Sequence, residues 1–166
     1  MLHREYDTQV CSVARSLEVV GERWTLLLIR SVMLGARRFD DLQAHTGVTR
    51  SVLTNRLRRL VDEGVLERRP YQERPTRHEY VLTEKGLGLW GVIEQLRQWG
   101  DEHYPEPAGP PRLIVHRDCG GHPDAHMLCD RCGTPLTVRD VRAEAGPGLL
   151  ARGIEPHPGA PVPTSG

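Results

Sequence analysis

The chain has 166 residues and no formal net charge, with 38% hydrophobic and 27% charged residues. This length accommodates one ordinary domain and a small appendage, but not two full-sized cores. No apolar run approaches the about 20 residues that span a bilayer, and no charged-then-apolar leader opens the sequence. We therefore expect a soluble, cytoplasmic protein that does not enter membranes.

Two helices are predicted in the first 35 residues. Cys11, Ala14, Leu17 and Val20 recur at near-helical spacing before Gly21, which indicates a short amphipathic helix. The segment 22–34 that follows is almost continuously apolar, so it predicts a central core helix.

Cys11 opens the first predicted helix and is a candidate regulatory thiol. The helix dipole and the free N–H groups at a helix start stabilise a thiolate. No Lys or His adjoins Cys11 in the sequence, so the alternative is favoured: Cys11 packs beside Ala14 and Leu17 as a small hydrophobe.

A helix-turn-helix is predicted over residues 39–63. Residues 39–45 form its first helix with Phe39 and Leu42 inward, 46–48 form the turn, and Thr49 is placed to cap the second helix. The second helix has an apolar face that must be buried, formed by Val52, Leu53, Leu57, Leu60 and Val61. Its other face carries groups that suit base edges and phosphates: Arg50, Ser51, Thr54, Asn55 and Arg58.

A two-stranded wing follows Gly64, with strands at 65–69 and 78–82 and an exposed tip at 71–77. Arg74 and Arg77 at this tip are expected to reach a minor groove. Between positions 37 and 77 there are ten arginines and six acidic residues. The net charge of zero therefore conceals a basic region, which is consistent with a DNA partner.

The last predicted helix of this domain runs from about residue 83 to 102 and carries Trp90 and Trp99. A monomer of this size has few surfaces for both rings, so pairing with a second copy is expected. A dimer would also present two recognition helices about one DNA turn apart.

The order of motifs over residues 11–102 resembles the HxlR family of bacterial transcriptional regulators, winged-helix proteins related to the MarR group. The segments that carry the resemblance are Gly-Glu-Arg-Trp-Thr-Leu-Leu-Leu-Ile-Arg at 21–30, Gly-Ala-Arg-Arg-Phe-Asp-Asp-Leu at 35–42, Val-Leu-Thr-Asn-Arg-Leu-Arg-Arg-Leu at 52–60 and His-Glu-Tyr-Val-Leu-Thr-Glu-Lys-Gly at 78–86. Ala36 stands where the family often has Pro.

The resemblance implies a homodimer formed by the first and last helices, with residues 50–63 in the major groove and the wing beside it. It also implies DNA contacts from Arg37 and Arg38 to phosphates, from Arg50, Ser51, Thr54, Asn55 and Arg58 in the groove, and from Arg74 and Arg77 on the wing. Thr49, at the start of the helix, is a further candidate for a DNA contact. Some members respond to oxidants or electrophiles through a cysteine at the position of Cys11.

A second, small module is predicted after a Pro-rich linker at 105–112. His116, Cys119, Cys129 and Cys132 form a His-x2-Cys and a Cys-x2-Cys pair, the ligand spacing of a zinc ribbon over residues 113–145. One structural zinc ion per chain would supply much of the folding energy of so small a module. His122 and His126 compete with His116 as the fourth ligand, and a redox-active Cys-x2-Cys is the alternative.

The sequence thus predicts a mainly α protein with a small β-wing: a winged helix-turn-helix domain over 1–104 and a zinc-ribbon-like β module, followed by a flexible tail at 146–166. No motif for a catalytic site has the required strand and helix context, so an enzyme is not expected. We expect a homodimeric regulator that binds specific double-stranded DNA, represses promoters and answers to a small molecule or a thiol-reactive electrophile. The alternatives are a protein-interaction module and a Cys-x2-Cys redox protein.

Overall fold

The computed structural model describes residues 10–154, and predictions that fall on 1–9 or 155–166 lie outside this range. The described elements form two compact units, one of residues 10–32 and 36–86 and the other of 33–35 and 87–154. The helices are α1 (Ser12–Val20), α2 (Thr25–Met33), α3 (Phe39–Thr46), α4 (Arg50–Asp62), α5 (Glu84–Leu87), α6 (Trp90–His103) and α7 (Pro147–Ala151). The strands are β1 (Leu66–Glu73), β2 (Thr76–Leu82), β3 (Arg112–His116) and β4 (Val141–Ala145).

The first unit is a winged helix-turn-helix, which confirms the predicted fold class. Its core contains fully buried side chains from α2, α3, α4 and β1, namely Leu28, Ile29, Leu42, Leu53, Leu57, Leu60 and Leu66. Gly47 links α3 to α4 with a left-handed backbone, φ +69°, a conformation that costs glycine little. The sharp turn predicted at 46–48 is therefore present.

The wing is an antiparallel pair in which Leu66 faces Leu82 at the base and Glu73 faces Thr76 near the tip. The segment before α3 also pairs with β2. Arg38 bridges to Glu79, and the Tyr80 N–H donates to the Arg37 carbonyl at 2.8 Å. The backbone of Arg37 and Arg38 is thus held by the wing.

The helix predicted over 83–102 is divided into α5 and α6. Gly86 and Gly88 weaken helix propagation here. Gly86 also lies against the carbonyl of Val65, where a Cβ would overlap. The division between the compact units falls after Gly86, whereas the sequence places a domain boundary at Tyr104.

The second unit contains α6, β3, β4 and α7. Trp90 at the start of α6 is buried with Cys129, Leu136, Val138 and Val141, so the helix shares a core with the cysteine-bearing module. None of the helices between residues 10 and 154 has the length and apolarity to cross a membrane.

The segment predicted to be a linker and part of the predicted flexible tail pack on each other. The Gly146 N–H donates to the Pro111 carbonyl at 2.9 Å, and Arg152 pairs with Glu106 at 2.6 Å. Pro147 at the first turn of α7 favours a helix start. Residues 147–151 are therefore helical, which corrects the expectation for this part of the tail.

Candidate DNA interface and metal centre

α4 has an apolar and a polar face, as the sequence predicts, but Val52 and Val61 of the face expected to be buried are only half-buried. Leu53, Leu57 and Leu60 are at most 1% exposed and anchor the helix in the core. The opposite side is exposed and consists of the polar positions Arg50, Ser51, Thr54, Asn55 and Arg58. A helix with one anchored and one polar exposed face can enter a major groove while its orientation is fixed from behind.

Arg50 is held by α3. Its guanidinium donates to Asp40 Oδ1 and Gln43 Oε1, both at 3.3 Å, and lies 4.8 Å from the centre of the Phe39 ring. Phe39 is therefore a half-buried platform for Arg50 and not a core residue alone. These contacts limit the directions that the Arg50 side chain can take.

Thr49 is the residue before α4, but its side chain forms no capping hydrogen bond. Its hydroxyl lies 3.4 Å from the Ser51 hydroxyl, and the Thr54 hydroxyl donates to the Arg50 carbonyl at 2.8 Å. The predicted side-chain cap is thus wrong, because the Thr49 oxygen faces a neighbouring hydroxyl and not a free N–H group.

The salt bridge between Arg56 and Glu22, at 3.0 Å, links α4 to the segment before α2. The Arg56 side chain is only 19% exposed, so this pair resists screening better than a surface pair does. Sequence reasoning missed Arg56 because no local pattern connects residues so far apart in the chain.

Arg38 and Tyr71 join the start of α3 to the wing. The Arg38 guanidinium carbon lies 4.4 Å from the centre of the Tyr71 ring, within the range of a cation–π contact. Arg38 is exposed and Arg37 half-buried. Tyr71 was assigned only to the wing tip by sequence reasoning, and its role in holding Arg38 was missed.

Three arginines of the predicted interface form neither an ion pair nor a contact with an aromatic ring within residues 10–154. Arg58 lies on α4, and Arg74 and Arg77 flank the exposed tip of the wing. By contrast, Arg69 pairs with Glu67 at 2.8 Å and Arg59 with Glu63 at 3.0 Å. The unpaired guanidinium groups are the ones available to phosphates without breaking an existing contact.

Cys11 is exposed at the position before α1. The neighbouring apolar side chains of Val13 and Leu17 are 66% and 44% exposed, whereas Ala14 is buried. Cys11 is therefore not packed beside Ala14 and Leu17 as a small hydrophobe, and the favoured expectation is wrong. The thiol of Cys11 is therefore accessible at the start of α1.

A cluster of four potential ligands lies in the second unit. The ligand atoms of His116, Cys119, Cys129 and Cys132 all lie within 4.8 Å of one another. His116 Nδ1 is 3.1 Å from Cys119 Sγ and 3.5 Å from Cys132 Sγ, and the sulfurs of Cys119 and Cys129 are 3.3 Å apart. A tetrahedral ion with bonds of about 2.3 Å to sulfur needs ligand separations near 3.8 Å. The cluster could therefore bind a metal with small side-chain adjustments.

Backbone geometry supports the convergence of these sulfurs. Gly120 and Gly133 follow the ligand pairs with φ +74° and +72°, and the Gly133 N–H donates to the Cys129 carbonyl at 2.8 Å. Gly121 lies against the cluster, where a Cβ would come within 2.5 Å of Cys129 Sγ. The two turns leave room for a compact site and direct N–H groups toward sulfur.

The same surroundings shift the acidity of the thiols. The hydroxyl and the backbone N–H of Thr134 lower the pKa of Cys132 to about 6. Burial raises the pKa of Cys129, but the N–H groups of Cys132 and Arg131 outweigh burial, so this pKa is lowered. Hydrogen bonding to Cys129 raises the pKa of His116. Thiolates are the ligands that soft divalent cations require.

The sequence left two alternatives open: His122 or His126 as the fourth ligand, and a redox-active Cys-x2-Cys pair. His122 and His126 are exposed, and His122 Nδ1 faces the Ile114 carbonyl at 2.7 Å instead of the sulfurs. Cys129 and Cys132 lie in a turn and converge with two further ligands. A thioredoxin-like pair at the start of a helix is not the arrangement found.

The described fold and the exposed polar helix define a helix-turn-helix transcriptional regulator. Residues 19–108 match the family model of the HxlR-like helix-turn-helix proteins, and the chain belongs to this family. The chain is 49% identical over 141 residues to the uncharacterized HTH-type transcriptional regulator Rv3095 of Mycobacterium tuberculosis. That similarity covers 85% of this chain and 89% of the relative.

Two solved structures extend the comparison. PA1607, a candidate transcription factor, has a TM-score of 0.66 and 34% identity, and covers 82% of this chain and 96% of its own. The redox regulator HypR in its reduced form has a TM-score of 0.53 and 31% identity, and covers 55% of this chain and 92% of its own. The larger match extends beyond residue 108, so PA1607 shares part of the C-terminal module. The relatives are named as regulators and not as enzymes, as expected.

Proposed function

We propose that this regulator binds specific double-stranded DNA as a homodimer and represses the promoters that it binds. The observation that carries the proposal is the exposed polar face of α4 beside a basic wing. Arg50, Ser51, Thr54, Asn55 and Arg58 read or contact the major groove, with Thr49 at its edge. Arg37 and Arg38 bind phosphates, and Arg74 and Arg77 bind beside the wing.

Exposed apolar side chains support the homodimer. On α6, Val92, Leu96 and Trp99 recur at helical spacing and are 47%, 50% and 53% exposed. On α1, Val13 and Leu17 are exposed as well. In a dimer with a two-fold axis, the same apolar patch is buried on both chains. Two half-sites on DNA then match the symmetry of the protein.

The Cys3His cluster binds one structural zinc ion in this proposal. Three sulfurs and one imidazole suit zinc, and the convergent turns fit a closed tetrahedral site. An ion at this site would compensate the negative charge of the thiolates and hold the two turns together. Metal analysis of fresh, reduced protein tests this, with close to one zinc per chain expected and a zinc-free folded protein as the contrary result.

Regulation by an effector is the last part of the proposal. Cys11 is exposed, and the neighbour HypR is described as a redox regulator. Both observations favour a thiol-reactive electrophile or oxidant over a small molecule that binds without reaction.

Selection from random duplexes tests the DNA-binding proposal directly. The expected result is a palindromic sequence with half-sites about one helical turn apart. A reporter driven by a promoter that contains this sequence should fall in activity when the protein is present. Failure to enrich any sequence would favour a winged helix that binds only protein.

A further inference from the structure

The metal cluster and α6 are parts of one structural unit. Trp90, in the first turn of α6, is 9% exposed and belongs to the same buried cluster as Cys129. Leu136, Val138 and Val141, which follow the second ligand pair in the chain, complete that cluster. The start of α6 is therefore buried against a ligand and its neighbours.

Two glutamines extend this contact along α6. Gln95 donates to the Ala125 carbonyl at 2.8 Å, and Gln98 donates to the carbonyls of Pro123 and Asp124 at 3.2 and 3.3 Å. All three acceptors lie in the loop between Cys119 and Cys129. The position of that loop thus determines whether α6 keeps these hydrogen bonds.

The loop between the ligand pairs has little regular structure of its own. Asp124 accepts from the N–H groups of His126 and Leu128 at 2.8 and 2.9 Å, and Met127 has φ +60°, an unfavourable value for a residue with a side chain. The ends of this loop are the ligands Cys119 and Cys129. The loop has backbone hydrogen bonds of its own, such as the one from the Asp124 N–H to the Leu128 carbonyl at 2.8 Å. An ion between its two ends would add bonds that fix Cys119 and Cys129 relative to each other.

α6 itself has weak intrinsic stability. It contains 14 residues, with Gly91 and Gly100 among them, and helices of this length are marginal without tertiary contacts. Its internal ion pairs, from Arg97 to Glu94 and Asp101 at 2.6 Å, involve one guanidinium. α6 therefore gains stability from its contacts with the module that carries the metal ligands.

We propose that metal binding at His116, Cys119, Cys129 and Cys132 orders α6 and so forms the surface that binds a second copy of the chain. The partner surface is the stripe of Val92, Leu96 and Trp99 on α6. This inference rests on the zinc site and the homodimer of the proposed function. Metal occupancy then controls assembly, and the cluster has a regulatory as well as a structural effect.

Hydrogen–deuterium exchange and sedimentation of the full chain test the inference. Zinc-loaded protein is compared with protein stripped by a chelator under reducing conditions, with zinc measured in both. Amides of α6 should exchange at least tenfold faster after stripping, and those of α4 should change little. The dimer should dissociate at least tenfold more readily, and added Zn²⁺ should restore both properties.

A variant that leaves the ligands intact separates this coupling from general unfolding. The double substitution Gln95→Ala and Gln98→Ala should retain zinc, accelerate exchange in α6 severalfold and weaken the dimer. Gln72→Ala removes a similar bond to a carbonyl, that of Arg74 at 3.0 Å in the wing, and should leave α6 and the dimer unchanged.

The possible failures are distinct. Equal exchange in α6 and equal dimer stability with and without zinc would overturn the inference while the zinc site and the homodimer stand. A zinc-loaded protein that sediments as a monomer would overturn the proposed homodimer, and with it the assembly step. Failure of the duplex selection would reject the DNA-binding proposal alone.

Discussion

The guanidinium carbon of Arg38 lies 4.4 Å from the centre of the Tyr71 ring, so a wing residue holds the side chain that precedes α3. The backbone bridge between Arg38 and Glu79 reinforces the same junction. A predicted phosphate contact is therefore prearranged by the wing, and less side-chain freedom is lost when DNA binds.

Replacing Tyr71 by leucine should weaken DNA binding. An exposed cation–π contact contributes about 0.5–1 kcal/mol, which corresponds to about two- to fivefold in affinity per half-site. Tyr71→Phe is the matched control, since it keeps the ring and should bind almost as the unaltered protein does. Titration of the selected duplex measures both, and equal affinities of the leucine and phenylalanine variants would exclude this role.

Arg58 and Asn55 should have separable effects on DNA recognition. Arg58→Ala should weaken binding to all sequences and reduce the slope of log affinity against log salt by about 1 per chain, because one phosphate contact is lost. Asn55→Ala should relax the choice at one base position, at a cost of about 1–3 kcal/mol on the preferred sequence. Salt titration and a repeated selection distinguish the two. A change of base preference in the arginine variant would reverse the assignment.

The parts of this fold that local spacing determines could be predicted from the sequence. Leu53, Leu57 and Leu60 repeat with the helical period, and the structure buries all three. His116, Cys119, Cys129 and Cys132 have ligand spacing, and their ligand atoms converge within 4.8 Å. Such patterns are readable because neighbours in the chain are also neighbours in space.

Contacts between distant residues were not predictable in the same way. Glu22 pairs with Arg56, and Arg38 with Tyr71, through side chains for which the sequence offers many equivalent partners. A second copy was expected to cover part of the area of Trp90 and Trp99, and Trp90 is buried within the chain, in the core that contains Cys129. The sequence indicates that an aromatic side chain will be buried, but it does not indicate which residues will pack against it.

Cys11 should mediate a response to electrophiles if it is the regulatory thiol. Alkylation of this exposed residue adds bulk at the start of α1, the helix whose Val13 and Leu17 are proposed to form part of the dimer. Treated protein should release DNA, whereas Cys11→Ser should keep it. Zinc content must stay constant during treatment, so that reaction at the ligand cysteines does not cause the release. Equal release by the serine variant would reject Cys11 as the sensor.

Leu96→Glu should dissociate the proposed dimer. Each chain of a symmetric dimer would bury a carboxylate in place of an apolar side chain, so about a hundredfold loss in dimer affinity is expected. Leu150→Glu is a matched control, because Leu150 is 62% exposed on α7 and Leu96 50% exposed on α6. Sedimentation equilibrium compares the two. An unchanged dimer in Leu96→Glu would place the interface elsewhere.

Gly121→Ala should damage the metal site without removing any ligand. The added Cβ would lie 2.5 Å from Cys129 Sγ and 2.6 Å from Asp130 Oδ1, so the turn has to shift away from the other ligands. Overpacking of this kind costs about 1–3 kcal/mol, and both the zinc content and the melting temperature should fall. Gly91→Ala on α6 meets no atom within 4 Å and should keep its zinc. A full complement of zinc and an unchanged melting temperature in Gly121→Ala would show that the site does not need this close approach.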